Sequence, residues 1–433
     1  MNTIQVPALA RVEGEGGLYI GLQDGKVVEI RLDIYEPPRF FEGFLVGRYL
    51  QEVPDITARI CGICPVAYQV SAVTALEQAL DIEVSPPVDA LRHLMYFGEY
   101  IESHALHIYL LQAPDLLGQP SALDLAAIAP EVVKNALRMK KIGNEILKAI
   151  GGRSVHPVNA CVGGFYRWPD AAPLKALLPE LAWALEAAIA AVKWAVTLPY
   201  PHLELDYEFV ALHHPQEYAI IHGEVWSSKG SQLSVSEYET RYLEQHIKHS
   251  NALHSHTQEG GHYLVGPLAR LNLNHAQLLP AAQAALQDNQ VKLPLTNPYK
   301  SLIARAVELV HSYAEAIQLI QAYDPAGPAH LELKLKAGEG VGASEAPRGL
   351  LYHRYKIDDQ GRVQFAKIVP PTAQNLPRIE QDLFALAPQL VEMPQEQATL
   401  TAEHLVRSYD PCISCATHFL RLKVESRKSA ASP

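Results

Sequence analysis

Near the N-terminal end of this 433-residue chain stands Arg59-Ile60-Cys61-Gly62-Ile63-Cys64-Pro65, and near the C-terminal end stands Asp410-Pro411-Cys412-Ile413-Ser414-Cys415-Ala416-Thr417-His418. Each stretch holds two cysteines separated by two residues. This spacing lets both sulfurs reach one metal ion from a single turn, and two such pairs make a four-sulfur site. Because almost the whole chain separates the pairs, such a site forms only if the two ends fold together.

Simpler interpretations of the cysteines remain open at this point. A zinc ribbon usually separates its two pairs by a few tens of residues at most, and each pair alone is compatible with a thioredoxin-like or merely buried CxxC. The chain holds 5 cysteines, an odd number, and residues 1–10 lack a secretory signal, so a disulfide scaffold is disfavoured. Metal or redox use of the two pairs is the favoured interpretation.

The composition is that of a globular protein. Hydrophobic residues make up 48% and charged residues 19%, which excludes a disordered chain and indicates surface buried against other subunits. The formal net charge of −11 argues against nucleic-acid binding, which needs a basic face. Charged residues interrupt the most apolar helical stretch, 176–196, so no membrane span is predicted. With no targeting segment, we expect a cytoplasmic protein.

The sequence predicts an α+β fold: one large, mainly helical domain with a central bundle of long helices and peripheral β-hairpins. Pro65 suits the first turn of a helix, and Pro86-Pro87 begins the next one. The predicted helices cover residues 66–80, 86–112, 130–150, 171–196, 298–323 and 402–408. One predicted hairpin covers 18–34, with Asp24-Gly25 as its turn, and another joins 350–357 to 362–369.

The motifs RxCGxC and DPCxxCxxH resemble those of the large, catalytic subunit of nickel–iron hydrogenases, and the similarity extends from residue 11 to residue 418. The resemblance implies that Cys61, Cys64, Cys412 and Cys415 bind nickel. It also implies that Cys64 and Cys415 bridge to an iron that carries carbon monoxide and cyanide. The chemistry agrees, because soft thiolates suit nickel and low-spin iron.

Two further motifs match segments of that family. Arg11-Val12-Glu13-Gly14 is similar to its R-[IV]-E-G motif, which implies that Glu13 relays protons from a nickel-bound thiolate, for which Cys412 is favoured. Glu345-Ala346-Pro347-Arg348-Gly349 is similar to the segment that places an arginine over the open metal position, here Arg348. The alternatives are a surface glutamate before a hairpin and an arginine in a loop salt bridge.

The resemblance extends to residues around the metals. Asp115 and Asp410 match acidic residues that surround the arginine, and Thr372, in Val369-Pro370-Pro371-Thr372, matches a hydroxyl that hydrogen-bonds cyanide. Glu42 matches a magnesium ligand. The other magnesium ligands would be His418 and the backbone carbonyl near Ile368.

One position departs from many relatives. They carry a histidine four residues after the second cysteine of the first pair, where this chain has Tyr68. A phenol can donate the same hydrogen bond to the bridging thiolate, more weakly. The local sequence resembles soluble, multimeric NADP-linked hydrogenases of the sulfhydrogenase type. Cys161 is interpreted as a buried structural thiol, and nine histidines between 202 and 262 as solvated or structural groups.

The resemblance implies a reversible hydrogenase that splits or forms dihydrogen. Because the chain has no spare cysteines for iron–sulfur clusters, we expect an iron–sulfur small subunit, with flavin and NAD(P) subunits beyond it. Nickel-insertion proteins and a maturation protease are further expected partners. The domain would cover 1–418, and the protease would remove the extension 419–433. The alternatives are a metal-free scaffold subunit of a related quinone-oxidoreductase complex and a zinc-stabilised structural protein.

Overall fold

The chain forms one α+β unit in a computed structural model that describes residues 2–23 and 26–417. The α-helices are α1 Phe41–Leu45, α2 Val53–Ala58, α3 Pro65–Ala79, α4 Pro86–Leu106, α5 Ala113–Leu116, α6 Ala122–Ile128, α7 Pro130–Gly151, α8 Ala171–Lys175, α9 Leu178–Ala195, α10 Tyr238–Arg241, α11 Pro267–Asn274, α12 Pro280–Asp288, α13 Ser301–Gln321, α14 Pro371–Val391, α15 Gln395–Ser408 and α16 Ile413–Ala416.

The strands are short and form five small antiparallel sheets among the described residues. They are β1 Asn2–Val6, β2 Gly16–Gln23, β3 Lys26–Ile34, β4 Ala160–Cys161, β5 Gly164–Phe165, β6 Val210–His213, β7 Glu224–Ser227, β8 Gln232–Leu233, β9 Tyr242–His246, β10 Leu253–Thr257, β11 Gly338–Ala346, β12 Gly349–Ile357 and β13 Val363–Val369. Three sheets have three strands each, in the orders β1-β2-β3, β6-β7-β8 and β11-β12-β13.

A bundle of four long helices forms the centre of the molecule. Helix α13 packs against α4 and α9, and α4 also packs against α7. Nearly every residue of α13 up to Ala314 is buried, as expected for a helix surrounded by others. The predicted α+β domain with a central helical bundle is confirmed. None of the described helices combines the length and the apolar character that crossing a bilayer requires.

The predicted helices are present with changes at their ends, the largest at α15, which begins at Gln395 instead of residue 402. The region 86–112 is helix α4 followed by a π-helical turn, His107–Gln112, and the region 171–196 is divided into α8 and α9. The largest omission is α14, which contains Pro377 and Pro388. Proline within a helix removes a hydrogen bond, so these two residues hid the helix from sequence analysis.

Both predicted hairpins gain a third strand. Strand β1 pairs with β2, and β11 pairs with β12, while the turn Asp24-Gly25 lies outside the described residues. Three glycines alternate along β11: Gly338, Gly340 and Gly342. A Cβ atom at any of them would collide with the backbone of α3. The glycines therefore allow β11 to lie directly on α3, the helix that follows the first cysteine pair.

Candidate metal centre

The structure brings the two cysteine pairs together in the interior. The Sγ atoms of Cys61 and Cys412 lie 3.7 Å apart, and those of Cys61, Cys412 and Cys415 all lie within 4.8 Å of one another. All four cysteines of the two motifs are buried. The expectation that the ends of the chain meet at one sulfur-lined site agrees with this geometry.

Backbone groups and a neighbouring cation stabilise the first pair. Cys64 immediately precedes helix α3, and the N–H groups of Ile63 and Cys64 donate to Sγ of Cys61 at 3.4 and 3.2 Å. Burial raises the pKa of Cys61, but the hydrogen bond from Cys64 and the charge of Arg348 outweigh it and bring the pKa to about 7. The hydrogen bond to Cys61, together with burial, raises the pKa of Cys64. Cys61 is therefore the more acidic thiol of the pair.

The second pair lies at the start of α16. Cys412 and Cys415 form a disulfide in the structure, so metal binding through both requires its reduction to two thiolates. The N–H of Cys412 donates to Oγ1 of Thr372 at 2.9 Å, which leaves the hydroxyl hydrogen of Thr372 available as a donor. The expected hydrogen bond from the Thr372 hydroxyl to a cyanide stays a prediction.

Glu13 lies beside the second pair. Its Oε2 is 3.0 Å from Sγ of Cys412 and accepts a hydrogen bond from the N–H of Ser414 at 3.1 Å. The backbone is joined as well, because the N–H of Ile413 donates to the carbonyl of Glu13 at 2.8 Å. The half-buried Glu13 carboxylate therefore contacts a buried sulfur and is also reached by solvent. This is not a surface glutamate that merely precedes a hairpin.

Arg348 lies beside the first pair, in the turn between β11 and β12. It donates to the carbonyl oxygen of Asp410 at 2.7 Å and to its Oδ1 at 3.1 Å, while its Nη1 lies 4.0 Å from Sγ of Cys64. Burial disfavours its charge, but Asp410 and Cys61 raise the pKa of Arg348 above its ordinary value. The charge of Arg348 is therefore permanent and held against the sulfurs.

The placement of Asp115 corrects one expectation. Its carboxylate accepts from Nε of Arg407 at 2.7 Å and pairs with Arg11 and His404, and its hydrogen bonds do not involve Arg348. Two guanidinium groups already neutralise the buried Asp115 side chain. Because Arg11 and Glu13 are neighbours in the chain, Asp115 acts on the site by anchoring the segment that bears Glu13.

The hydroxyl of Tyr68 is buried and has no hydrogen-bond partner among the described residues. The expected hydrogen bond to a cysteine sulfur is therefore absent here. Burial raises the pKa of Tyr68, and the nearby Cys64 and Cys61 raise it further, so the phenol keeps its proton. A buried donor without a partner fits a site that receives an additional polar group.

The residues expected to bind magnesium are partly in place. The N–H of Ile368 donates to Oε1 of Glu42 at 2.8 Å, so these two residues lie next to each other. His418 lies outside the described residues. Magnesium binding by Glu42, Ile368 and His418 stays a prediction.

Two residues at the site were missed by sequence analysis. Arg39 donates to the carbonyl oxygens of Ile60 and Ser414, one beside each cysteine pair. Glu99 accepts from the N–H groups of Val66 and Ala67 in the first turn of α3. Neither residue lies in a motif with recognisable spacing, and both act on backbone groups that only the folded chain brings near them.

The donor set fits a soft metal. Cysteine sulfurs from two distant segments converge in a buried space, and such sulfurs bind nickel, iron or zinc rather than magnesium or calcium. A fixed cation at Arg348 and the unpartnered donor of Tyr68 add groups that suit small anionic ligands on a metal. A purely structural zinc site has no use for either group.

Known proteins share this sequence and fold. The sequence model of the family described as nickel-dependent hydrogenase matches residues 39–134 and 226–418. The alpha subunit of sulfhydrogenase 1 from Pyrococcus furiosus is 36% identical over 97% of this chain and 98% of its own length. The beta subunit of the NAD-reducing hydrogenase HoxS from Cupriavidus necator is 28% identical over 96% of this chain and 94% of its own length.

Solved structures agree with these relatives. An NAD+-reducing NiFe hydrogenase in its H2-reduced state gives a TM-score of 0.86 at 28% identity, over 96% of this chain and 100% of that one. The Ni-Fe-Se hydrogenase of Desulfovibrio vulgaris Hildenborough shares the fold, with a TM-score of 0.80 at 22% identity. The resemblance seen in the motifs, including its sulfhydrogenase character, is confirmed. This chain belongs to the nickel-dependent hydrogenase family, and it is an oxidoreductase that acts on dihydrogen.

Proposed function

We propose that this chain is the catalytic subunit of a reversible, NAD(P)-linked hydrogenase, with a nickel–iron centre held by Cys61, Cys64, Cys412 and Cys415. The observation that carries the proposal is the convergence of sulfurs from both ends of the chain at one buried point. When bound, the centre supplies the heterolytic cleavage of dihydrogen into two protons and two electrons. Carbon monoxide and cyanide on the iron are part of the proposal.

Glu13 moves the proton away from the sulfurs. A proton on Sγ of Cys412 has an acceptor 3.0 Å away, Oε2 of Glu13, which is within hydrogen-bond reach. The half-buried carboxylate then releases the proton toward solvent. Asp115 holds the segment in place through Arg11, so that the distance between the sulfur and the carboxylate stays short.

Arg348 supplies a fixed positive charge at the other pair. The hydrogen bonds to Asp410 fix its guanidinium, so no reorganisation is needed when charge develops nearby. Thr372 and Tyr68 offer hydroxyl donors, the first beside Cys412 and the second near Cys61 and Cys64. These groups orient and stabilise whatever anionic ligands the centre carries.

Electrons leave through other subunits. Four of the 5 cysteines lie in the two motifs and the fifth, Cys161, is a single buried thiol, so the chain lacks the four sulfurs of an iron–sulfur cluster. We therefore propose an iron–sulfur small subunit and, beyond it, flavin and NAD(P) subunits in the cytoplasm. The names of the relatives support this, since one is a subunit of a sulfhydrogenase and another of an NAD-reducing hydrogenase.

Assembly of the metal centre requires further proteins. Nickel-insertion proteins load the site, a protease then removes residues 419–433, and His418 joins Glu42 and Ile368 at a magnesium ion. Sγ of Cys412 already lies 3.7 Å from Sγ of Cys61 in the full-length chain, so the extension need not hold the two pairs apart. Removal of residues 419–433 would leave His418 as the new C-terminus, directly after the buried Thr417.

The test compares two buried cysteines in the purified complex. Cys64→Ser removes a sulfur proposed to bridge nickel and iron, so both metals should be lost, and hydrogen-dependent dye reduction with them. Cys161→Ser is the matched control, because Cys161 is equally buried but lies in the short β4–β5 hairpin. Full nickel and iron content in Cys64→Ser, measured by elemental analysis, would refute the bridging assignment.

A further inference from the structure

A second cluster of metal-binding side chains lies between β3, the β9–β10 connection and α14. It consists of His249, His254 and Glu380, whose ligand atoms lie within 4.8 Å of one another. Nε2 of His249 is 2.9 Å from Oε1 of Glu380, and Nδ1 of His254 is 3.9 Å from Oε2 of the same carboxylate. The histidine-rich segment, interpreted from sequence as solvated or structural, therefore contributes two imidazoles to one glutamate.

His254 is the unusual member of the cluster. Its side chain is only 7% exposed, and its Nε2 is buried without a hydrogen-bond partner among the described residues. Its Nδ1 faces Glu380 at a distance too long for a hydrogen bond. A buried imidazole normally has a partner for at least one nitrogen. An ion held between Nδ1 of His254 and the carboxylate of Glu380 would give this imidazole a partner through Nδ1.

The surrounding backbone holds the carboxylate in place. The N–H of Leu32, in β3, donates to Oε1 of Glu380 at 2.8 Å. The loop bearing His249 is fixed to the same strand, because the N–H of Asn251 donates to the carbonyl of Ile34 at 2.8 Å. Backbone and carboxylate partners of this kind orient ligands in metal sites.

We propose that His249, His254 and Glu380 form a zinc site separate from the cysteine centre. Two imidazoles and one carboxylate are a donor set that zinc accepts, with water as the fourth ligand. Zinc bonds of about 2.0–2.2 Å place two donors about 3–4 Å apart, which matches the separations here after small adjustments. The ion is structural: it joins α14, which carries Thr372 and Glu380, to the β9–β10 hairpin, which carries His249 and His254.

A third group of potential metal ligands, apart from the cysteines and from the His249 cluster, serves as the internal comparison. Asp89, His93 and His222 also lie within 4.8 Å of one another. The His222 side chain is 47% exposed, and its Nε2 donates to Oδ1 of Asp89 at 2.8 Å. Nε2 of His93 is buried without a partner among the described residues, but Nδ1 of His93 donates to the carbonyl oxygen of Asp89 at 3.1 Å. Each imidazole of this cluster therefore has a hydrogen bond through one nitrogen, which His254 lacks among the described residues. Loss of His93 should therefore leave zinc binding unchanged.

The experiment uses the purified hydrogenase complex, depleted of loosely held metal with a chelator and then supplied with zinc chloride. Retained zinc is measured after gel filtration, and X-ray absorption at the zinc edge identifies the ligands. The parental complex and His93→Gln should each retain roughly one zinc per chain with nitrogen and oxygen ligands. Affinity should fall at least about 10-fold in His249→Gln and in Glu380→Gln.

Because His249→Gln and Glu380→Gln each remove a different ligand, the test stays decisive if one of them fails to fold. Neither residue contacts the cysteine centre. Equal zinc affinity in the parental and His249→Gln complexes would overturn the proposal. A sulfur-containing zinc shell would do so too, because it would place the ion at the cysteines. Zinc should also raise the melting temperature of the parental complex and leave that of Glu380→Gln unchanged.

Discussion

Glu13 and Arg348 contact different cysteines of the centre and do different work there. Oε2 of Glu13 lies 3.0 Å from Sγ of Cys412, and the residue is half-buried, so it can exchange protons with both the sulfur and the solvent. Nη1 of the buried Arg348 lies 4.0 Å from Sγ of Cys64. Asp410 and Cys61 raise the pKa of Arg348, so its guanidinium stays protonated. Glu13 is therefore suited to proton transfer, and Arg348 to stabilising negative charge at the centre.

Replacing Glu13 by glutamine should separate proton transfer from metal binding. The amide still accepts a hydrogen bond from the N–H of Ser414, but it cannot take up a proton from Cys412. We expect full nickel and iron content and a loss of hydrogen–deuterium exchange with solvent of about 10²-fold or more. Exchange is followed by mass spectrometry of the gas above the purified complex.

Glu15→Gln is the matched control for that variant. Glu15 is exposed two residues away and bonds to Glu36 through its backbone: its N–H donates to Oε2 of Glu36, and its carbonyl oxygen accepts from the N–H of Glu36. Its exchange rate should equal that of the parental enzyme. If Glu13→Gln also exchanged at the parental rate, the proton would leave by another route, and the role assigned to Glu13 would be wrong.

At the scale of elements, the close approach of α4 and α7 depends on glycine. A Cβ atom on Gly143 would lie 2.5 Å from the carbonyl oxygen of Gly98 and 2.9 Å from the nitrogen of Glu102. Gly143→Ala should therefore push the helices apart and cost about 1–3 kcal/mol of stability, lowering the melting temperature. Calorimetry of the complex measures the effect.

Gly43→Ala controls for the intrinsic preference of alanine for helices. Gly43 lies in α1, and a Cβ atom there would meet nothing within 4 Å. Both substitutions gain the same helix propensity, about 1 kcal/mol, so only Gly143→Ala should lower the melting temperature. Equal melting temperatures for the two variants would show that the α4–α7 contact adjusts without cost.

Sequence predicted the elements that begin with clear signals. Proline at the first turn marked α3, α4 and α7, and turn residues marked the hairpins. Helix α14 was missed because of its internal prolines, and β11 because glycines that suit a loop here allow contact with α3. In both cases tertiary packing overrides the local preference of the residues.

The residues of the metal site also fall into those that the sequence predicted and those that it did not. The cysteines, Glu13, Arg348 and Asp410 were found because they lie in motifs with fixed spacing. The partners of Asp115 could not be predicted, since Arg11 and Arg407 lie far from it in sequence. The backbone contacts of Arg39 and Glu99 were invisible for the same reason.

At the scale of the whole molecule, the centre is assembled from segments near residues 13, 61, 348, 372 and 412. A site built from such distant segments couples metal binding to folding. Residues 419–433 carry Arg421, Lys423, Arg427 and Lys428 against Glu425, and they directly follow this assembly. Removal of this extension would leave His418 as the C-terminal residue of the subunit.

The proposed processing predicts the mass of the active enzyme. The chain isolated from an active complex should end at His418, and intact-mass spectrometry should show the loss of residues 419–433. A form without nickel, from cells deprived of the metal, should keep the full chain and serves as the control. A fully active, nickel-loaded chain that still ends at Pro433 would refute the processing and weaken His418 as a magnesium ligand.

The metal content of the purified complex tests the central claim most directly. Four cysteines from both ends of the chain should hold one nickel and one iron, in addition to the iron of the partner clusters. Isolating the catalytic subunit from the complex before elemental analysis removes that second source of iron. Nickel and iron in equal amounts, both lost in Cys64→Ser, are the predicted result. Zinc alone in the cysteine site would contradict the account.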